Sequence, residues 1–199
     1  EDSAESLGST YRQQHTGTFG LVGVFSYNGN KTITTGGGGM IITNNEELAA
    51  KARHLSTTAK ISHRWEFSHD EIGYNYRLNN VSASIGVAQM EKLEEYLVSK
   101  RQTSEAYSTF CKSHSIEFFQ GLAEGQANNW LNAIIMKNRS ERDAFLIATN
   151  DNGVMTRPLW KLMHKLDIYM HCQHDGLENS LFLEDRIVNV PSGVRRLNS

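Results

Sequence analysis

Short apolar segments separated by glycine and asparagine dominate the first part of the chain. Val22, Val24 and Phe25 precede Asn28-Gly29, a dipeptide that tolerates the positive φ angles of a tight turn. The β-branched residues 32–35, four glycines at 36–39 and an apolar segment at 40–43 follow. This pattern predicts a β-hairpin that turns at Asn28-Gly29. The glycines permit bulges and the close approach of other backbone.

Helical periodicity appears in two further stretches of the chain. Asn44 or Asn45 is expected to cap a helix over residues 46–55, which has acids at its start and bases at its end. A second cap, at Asn79 or Asn80, precedes a long amphipathic pattern that extends to about Phe110. The segments between the elements, 11–15 and 57–69, are polar and are expected to be loops. One long helix is therefore predicted to lead out of the first part of the chain.

The remaining residues show the alternation of strands and a helix that is typical of a small α+β unit. Strands are predicted at 116–119, 130–136, 153–157 and 187–191. The spacing from Ser140 to Asp143 matches a capping box, so a helix is predicted to begin there and to end near Gly153.

Composition indicates an ordinary globular protein. The 199 residues are 39% hydrophobic and 21% charged, and the formal charge of −2 gives no electrostatic reason to expect nucleic acid or an anionic membrane as a partner. No apolar run approaches membrane-spanning length, and no signal peptide opens the sequence. Two cysteines, Cys111 and Cys172, lack a paired spacing, so free thiols in a reducing cytoplasm are expected.

Four motifs then occur in a fixed order along the chain. They are Glu-Asp-Ser-Ala-Glu-Ser-Leu-Gly at 1–8, Thr-Gly-Thr-Phe-Gly at 16–20, Phe-Ser-Tyr-Asn-Gly-Asn-Lys at 25–31 and Glu-Ile-Gly-Tyr-Asn-Tyr-Arg-Leu at 71–78. Together they resemble the DegT/DnrJ/EryC1/StrS family of pyridoxal-phosphate-dependent sugar aminotransferases. The resemblance implies an α/β fold that corresponds to the C-terminal part of a type I pyridoxal-phosphate-dependent transferase. It implies three regions: part of the large cofactor-binding domain at 1–80, a connecting helix at 81–110 and a small α+β domain at 111–199.

The resemblance also implies roles for five residues in binding pyridoxal 5′-phosphate. Lys31 is expected to form the imine with the cofactor and later to carry the proton between substrate and cofactor carbons. Asp2 is expected to face the pyridine nitrogen, and Ser26 to hold the phosphate. Asn75 is expected to reach the cofactor phosphate of a partner subunit, in a homodimer. Glu5 lies near the ring oxygen, where relatives more often place Gln or His.

Lysine chemistry supports the first of these roles. Imine formation needs a lysine amine that can be neutral near pH 7. Burial of the lysine beside a cation can provide such an amine, because both disfavour its charged form. Some relatives are dehydratases with His at this position, so Lys31 favours the aminotransferase branch. The glycine run can be interpreted as a phosphate nest. A bulged segment that lets other backbone pack closely is the favoured interpretation.

Substrate contacts are expected from the α+β part of the chain. Trp130, in Asn128-Asn129-Trp130, and Arg157 are the candidates, because an arginine can hold the diphosphate of a nucleotide-sugar. The alternative for tryptophan is core packing. These motifs resemble the subgroup that aminates UDP-linked 4-keto-6-deoxy-N-acetylhexosamines, and a GDP-sugar substrate of the perosamine type stays open.

Two alternatives compete with this interpretation. A zinc site could be assembled from His164, His171, Cys172 and His174, but no characteristic metal-binding spacing accompanies them, so solvated loop histidines and no metal are expected. Family members also carry a substantial region before the Glu-Asp motif. The chain could therefore be a non-catalytic domain that lacks a complete cofactor pocket. The main hypothesis is an enzyme that takes an amino group from glutamate and transfers it to the 4-keto group of the sugar.

Overall fold

The computed structural model describes residues 1–195, which form two compact units. The first unit comprises residues 1–97 and 122–128, and the second comprises residues 98–121 and the chain from Asn129 onward. The boundaries at 80 and 110 that the resemblance implies concern domains of a whole enzyme and stay a prediction. The last four residues of the expected small domain, 196–199, lie outside the described part of the chain.

Nine strands and five α-helices make up the regular structure of the described residues. The strands are β1 (Thr10–Tyr11), β2 (Gln14–His15), β3 (Gly23–Ser26), β4 (Gly39–Ile42), β5 (Glu117–Phe118), β6 (Gly125–Gln126), β7 (Asn132–Ile135), β8 (Arg157–Pro158) and β9 (Ile187–Val190). The helices are α1 (Glu46–Ser56), α2 (Asn80–Met90), α3 (Leu93–Ser113), α4 (Arg139–Asp151) and α5 (Glu178–Glu184). Two short 3-10 turns lie at Met163–Lys165 and Asp167–Tyr169.

The hairpin of β3 and β4 forms, but the turn predicted at Asn28-Gly29 is wrong. The strands pair antiparallel from Gly23 with Ile42 to Ser26 with Gly39, so residues 27–38 make a wide loop between them. The Tyr27 main chain closes this loop by hydrogen bonds with Gly38 and Thr35. The predicted strand at 32–35 is also wrong, because those residues lie in the loop and are mostly buried there by packing instead of extending a ladder.

Close backbone approach explains the last glycine of the run. A Cβ at Gly39 would lie 2.4 Å from the carbonyl oxygen of Phe25, and that separation excludes any side chain. The preceding Gly38 has a φ of +90°, a conformation that other residues adopt only with strain. This geometry agrees with the interpretation of a bulged segment.

A small sheet of the first unit was not predicted. Strands β1 and β2 form a hairpin through Arg12 and Gln13, whose φ angles of 47° and 66° are those of a primed turn. Strand β6 pairs with β1 on the other side, so the sheet order is β2-β1-β6. The sequence suggested a polar loop here because neither turn residue is the glycine or asparagine that usually marks such a turn.

Two of the predicted helix caps are confirmed, while the predicted long helix is divided in two and the predicted cap of α4 is displaced. Asn45 and Asn79 cap α1 and α2 through their side-chain oxygens, as expected. The long helix predicted from residue 79 to 110 is two helices, since α2 ends at Met90 and α3 begins at Leu93. The N-cap of α4 is Asn138, not Ser140: Asn138 has extended backbone angles and accepts a hydrogen bond from the N–H of Glu141 at 2.9 Å.

The second unit is built on a four-stranded antiparallel sheet with the order β5-β7-β9-β8. Its core contains Cys111 of α3, Ile134 of β7, and Val188 and Val190 of β9, all of which are buried. The strand expected at 153–157 is reduced to β8 at its end. No helix among residues 1–195 is both long and apolar enough to cross a membrane.

Candidate functional site

Lys31 lies in the wide loop between β3 and β4. Its backbone N–H donates to the carbonyl oxygen of Asn28 at 3.1 Å, and the next two residues, Thr32 and Ile33, are buried. The Lys31 side chain is only 13% exposed, and its Nζ lies 2.9 Å from Oε1 of Glu5. The loop therefore holds an amine that is mostly withdrawn from solvent against a carboxylate.

Glu5 lies in a turn that Ser3, Ser6 and Ser9 form with successive backbone hydrogen bonds. Its side chain is 53% exposed, so solvent screens its attraction to Lys31 and the ion pair adds little to folding stability. The resemblance assigns Glu5 to the ring oxygen of the cofactor. The structure gives its carboxylate a second task, as the partner of the candidate catalytic amine.

Asp2 and Ser26 lie on neighbouring extended segments. Asp2 forms a parallel bridge with Val24 of β3, and the backbone N–H of Ser3 donates to Val24 at 2.9 Å. Ser26 follows two residues later at the end of β3, next to the loop that carries Lys31. The carboxylate of Asp2 is exposed, and it accepts a hydrogen bond from the N–H of Ala4 at 3.1 Å. The motif residues 2 and 26 are thus brought together by strand pairing.

Glu1 has a structural role that sequence reasoning missed. Its carboxylate accepts hydrogen bonds from the backbone N–H groups of Gly17 at 2.7 Å and Phe19 at 2.9 Å. These hydrogen bonds, that from Gly17 foremost, hold the pKa of Glu1 below its usual value. The sequence features that could have indicated this contact are the acid at position 1, next to Asp2, and the glycine-containing motif at 16–20, whose backbone N–H groups bind that acid.

Asn75 is positioned by backbone pairing with the end of α1. It bridges Thr57 in antiparallel fashion, and the flanking Tyr74 and Tyr76 donate their N–H groups to the carbonyl oxygens of Leu55 at 2.7 Å and Ser56 at 3.0 Å. The Asn75 side chain is exposed. It lines an open groove of about 470 Å³ together with the glycines at 36–38 and residues 76–79. The groove brings the glycine run and the asparagine motif to one surface.

Gly73 makes this pairing possible. A Cβ at this position would lie 2.3 Å from the carbonyl carbon of Thr58. Thr58 and Ala59 themselves have φ angles of 67° and 49°. A β-branched residue such as Thr58 is strained in that conformation, so the asparagine motif is held against a strained turn.

Trp130 and Arg157 belong to the second unit, and their contact with a ligand stays a prediction. The rings of Trp130 and Trp160 are nearly parallel, with centroids 6.2 Å apart. Trp160 is 64% exposed and Trp130 is half-buried, and neither belongs to the buried core of the second unit. The Arg157 guanidinium donates to Oδ1 of Asn150 at 3.0 Å, a contact that orients an exposed positive charge.

The histidines of the second unit are not assembled as a four-ligand set. The rings of His164 and His174 lie 4.9 Å apart, and both line a cavity of about 470 Å³ with Cys172. Within residues 1–195, the group of three potential ligands close enough to share an ion is His54, Asp70 and Glu71 in the first unit. Lys51 already forms an ion pair with Glu71 at 2.5 Å.

The first unit therefore presents a mostly buried lysine in a strand-connecting loop, with Ser26 at the start of that loop and Asp2 on the adjacent segment. These donor and acceptor types suit a phosphate-bearing aldehyde cofactor with a basic ring nitrogen. The chain belongs to the DegT/DnrJ/EryC1/StrS aminotransferase family, whose profile matches residues 1–196. The prediction from the four motifs is thus confirmed.

Curated relatives act on two kinds of nucleotide-sugar. The chain is 35% identical over 194 residues to GDP-perosamine synthase of Escherichia coli O157:H7. This alignment covers 96% of this chain and 52% of that enzyme. The chain is also 34% identical over 116 residues to a UDP-4-amino-4,6-dideoxy-N-acetyl-beta-L-altrosamine transaminase of Campylobacter jejuni. This second alignment covers 57% of this chain and 31% of that enzyme. The chain spans about half the length of the first of these relatives.

Solved structures confirm the fold. Helicobacter pylori PseC, an aminotransferase of pseudaminic acid biosynthesis, superposes with a TM-score of 0.91 at 23% sequence identity. The match covers 98% of this chain and 54% of the PseC chain. The aminotransferase TlmJ from Streptoalloteichus hindustanus matches 97% of this chain and 52% of its own with a TM-score of 0.88 at 29% identity. An E. coli GDP-4-keto-6-deoxy-D-mannose-3-dehydratase with bound hydrated pyridoxal phosphate also matches, at a TM-score of 0.87 and 25% identity over 99% of this chain and 56% of its own. The predicted cofactor is thus confirmed for the family.

Proposed function

We propose that this chain is part of a pyridoxal-phosphate-dependent aminotransferase that moves an amino group from glutamate to the 4-keto group of a nucleotide-linked 4-keto-6-deoxy sugar. The observation that carries the proposal is the Lys31 amine, 13% exposed and 2.9 Å from the Glu5 carboxylate, in the loop that follows Ser26. The family membership of residues 1–196 supports the same chemistry.

The residues of the first unit have distinct tasks in this proposal. The cofactor, when bound, supplies an electron-withdrawing ring that stabilises negative charge on the substrate carbon next to nitrogen. Lys31 would hold the cofactor through Nζ and would serve as the proton carrier at the substrate. Asp2 would accept a hydrogen bond at the cofactor's ring nitrogen. Ser26 would donate a hydrogen bond to the cofactor phosphate, Asn75 would donate one to the phosphate held by a partner subunit, and Glu5 would hold the Lys31 ammonium.

The substrate proposed first is a UDP-linked 4-keto-6-deoxy-N-acetylhexosamine, with Trp130 and Arg157 as its contacts. The motifs around these two residues and the likeness to the Campylobacter jejuni transaminase support it. A GDP-sugar is the second candidate, because the likeness to GDP-perosamine synthase extends over 96% of the chain. Competing UDP and GDP for binding to the full-length enzyme, with inhibition as the readout, separates the two.

We also infer a homodimer that works in the cytoplasm. Large apolar side chains are exposed around the Asn75 motif, among them Phe67 at 79%, Ile72 at 84% and Tyr76 at 78%. Helix α2 has no buried residue although it is rich in valine, isoleucine and alanine. Surfaces of this kind are covered in a working protein. Both cysteines are free thiols, as suits a reducing compartment.

Cofactor trapping tests the proposed function directly. Pyridoxal phosphate is added to this chain and to a longer protein that carries the preceding region of its relatives. Borohydride reduction and peptide mapping then locate the label. Label on Lys31 is expected in the longer protein. Label on Lys31 in this chain as well means that the half-length chain assembles a pocket, whereas label on neither refutes the proposal and leaves the alternative of a non-catalytic domain.

A further inference from the structure

Asn128 joins the two segments that carry Lys31 and Glu5. Its side-chain amide Nδ2 donates to the carbonyl oxygens of Glu5 at 2.9 Å and Leu7 at 3.0 Å, and it lies 3.3 Å from Oγ1 of Thr32. Thr32 is the residue after Lys31 in the chain. One amide therefore bonds to the main chain of the carboxylate-bearing residue and to the immediate neighbour of the amine-bearing residue.

Asn128 reaches this position through strand pairing far along the sequence. Strand β6 pairs with β1, so Thr10 lies opposite Gln126. Two residues later, the backbone N–H of Asn128 donates to Oγ of Ser9 at 2.9 Å. Both the backbone and the side chain of Asn128 are thus fixed to the turn that presents Glu5.

Burial makes the amide hard to replace. Asn128 is only 5% exposed, and Thr32 is 8% exposed. Water therefore cannot easily satisfy the carbonyl oxygens of Glu5 and Leu7 if the amide is removed, and a buried carbonyl without a donor is costly. Asn128 belongs to the Asn128-Asn129-Trp130 motif that is considered for substrate contact, but its side chain is enclosed and fully engaged in these hydrogen bonds.

We propose that Asn128 is a positioning residue, whose amide clamps the Glu5 turn to the Lys31 loop and so keeps Nζ of Lys31 against the Glu5 carboxylate. Its importance for catalysis rests on the proposed function, whereas the clamp itself is a statement about the geometry of the first unit. The two can therefore fail separately.

Competitive labelling of lysines tests the clamp without any cofactor. Trace acetic anhydride is applied to the protein with Asn128→Leu, which keeps the branched shape of the side chain and removes its donor. The labelling of Lys31 is divided by that of Lys100, a lysine on α3 that is only 5% exposed and so reports any general unfolding. The ratio is expected to rise about fivefold, because a loosened Glu5 turn leaves the amine more exposed and less engaged.

The ratio distinguishes positioning from general destabilisation. General destabilisation would expose the buried Lys31 and Lys100 together and leave the ratio unchanged, and that result would overturn the proposal. Asn44→Leu is the matched control, because Asn44 is exposed, and it is expected to leave the ratio at the wild-type value. If Asn128→Leu does not fold, Thr32→Val decides: a smaller rise of the ratio supports the clamp, and no rise refutes it.

A second readout connects the clamp to the proposed chemistry. In the longer protein, Asn128→Leu is expected to slow the trapping of pyridoxal phosphate on Lys31 by a similar factor while the site of labelling stays the same. If the labelling ratio rises but no cofactor is ever trapped on Lys31, with or without the substitution, the clamp stands and the proposed function fails. If trapping is normal and the ratio is unchanged, the function stands and the clamp fails.

Discussion

Two lysines, one in each unit, are withdrawn from solvent and have different partners. Lys31 of the first unit lies 2.9 Å from a carboxylate oxygen of Glu5. Lys100 of the second unit is only 5% exposed, and it donates to the carbonyl oxygens of Ser192 at 2.7 Å and Trp130 at 3.3 Å. Burial alone therefore does not distinguish the lysine proposed to react from a structural one.

The nature of the partner explains the difference. The Lys31 side chain is 13% exposed and its carboxylate partner Glu5 is 53% exposed, so this ion pair is accessible to solvent through Glu5. The Lys100 ammonium fastens two main-chain segments to α3, and burial lowers its pKa. Tyr107 of the same helix adds a bond from its hydroxyl to the Pro191 carbonyl oxygen at 3.1 Å. The contacts of Lys100 are therefore structural, whereas Lys31 is the lysine that we propose reacts.

The largest difference between the two lysines is expected in cofactor attachment, which should be lost when Lys31 is replaced. With Lys31→Ala, borohydride-trapped cofactor is expected to fall to background, and amino transfer by the full-length protein to fall about a thousandfold, because both the covalent attachment and the proton carrier are lost. The stability of the fold should change by less than about 1 kcal/mol, since the ion-pair partner Glu5 is largely exposed. Wild-type trapping in this variant, measured by peptide mapping, would contradict the assignment.

Replacing Lys100 is expected to have the opposite profile. Lys100→Met removes the donors of two carbonyl oxygens inside the second unit, and the free energy of unfolding should fall by about 2–4 kcal/mol. Lys112→Met, on the exposed face of the same helix, is the control and should stay within about 0.5 kcal/mol of wild type. Urea unfolding monitored by circular dichroism measures both. Trapping on Lys31 should persist in Lys100→Met under conditions where it is folded, and its loss there would weaken the distinction between the two lysines.

Sequence reasoning found the features that depend on neighbouring residues. The caps Asn45 and Asn79, the apolar strands β7 and β9, and the family motifs around Lys31 are all readable over a few positions. The wide loop between β3 and β4 could not be read in this way, because local signals at Asn28-Gly29 indicated a tight turn and burial of Ile33 outweighs them.

The contacts of Asn128 and Lys100 show a second limit. Asn128 bonds to Glu5 across 123 residues of sequence, and Lys100 bonds to Ser192 across 92. Neither pairing has a signal in the spacing of residues, since it arises only when strands and helices have assembled. Sequence reasoning therefore proposes candidate reacting groups but does not find the long-range contacts that hold them.

The smallest effect concerns acid, and it follows from the carboxylates of the first unit. The pKa of Glu1 is lowered in the folded state, foremost by the hydrogen bond from the Gly17 N–H, so its contribution to stability is present above the unfolded value of 4.5 and is lost as the pH falls through the folded value. The amide resonance of Gly17 should titrate with a midpoint below 4.5. In Glu1→Gln that titration should disappear, and the loop at 16–20 should lose protection from hydrogen exchange. The carbonyl partners of Lys100 do not titrate, so the amides near Ser192 should show no matching transition. A transition shared by Gly17 and the residues near Ser192 would mean that acid unfolds the whole chain at once. That result would contradict the difference expected between the carboxylate contacts of Glu1 and the carbonyl contacts of Lys100.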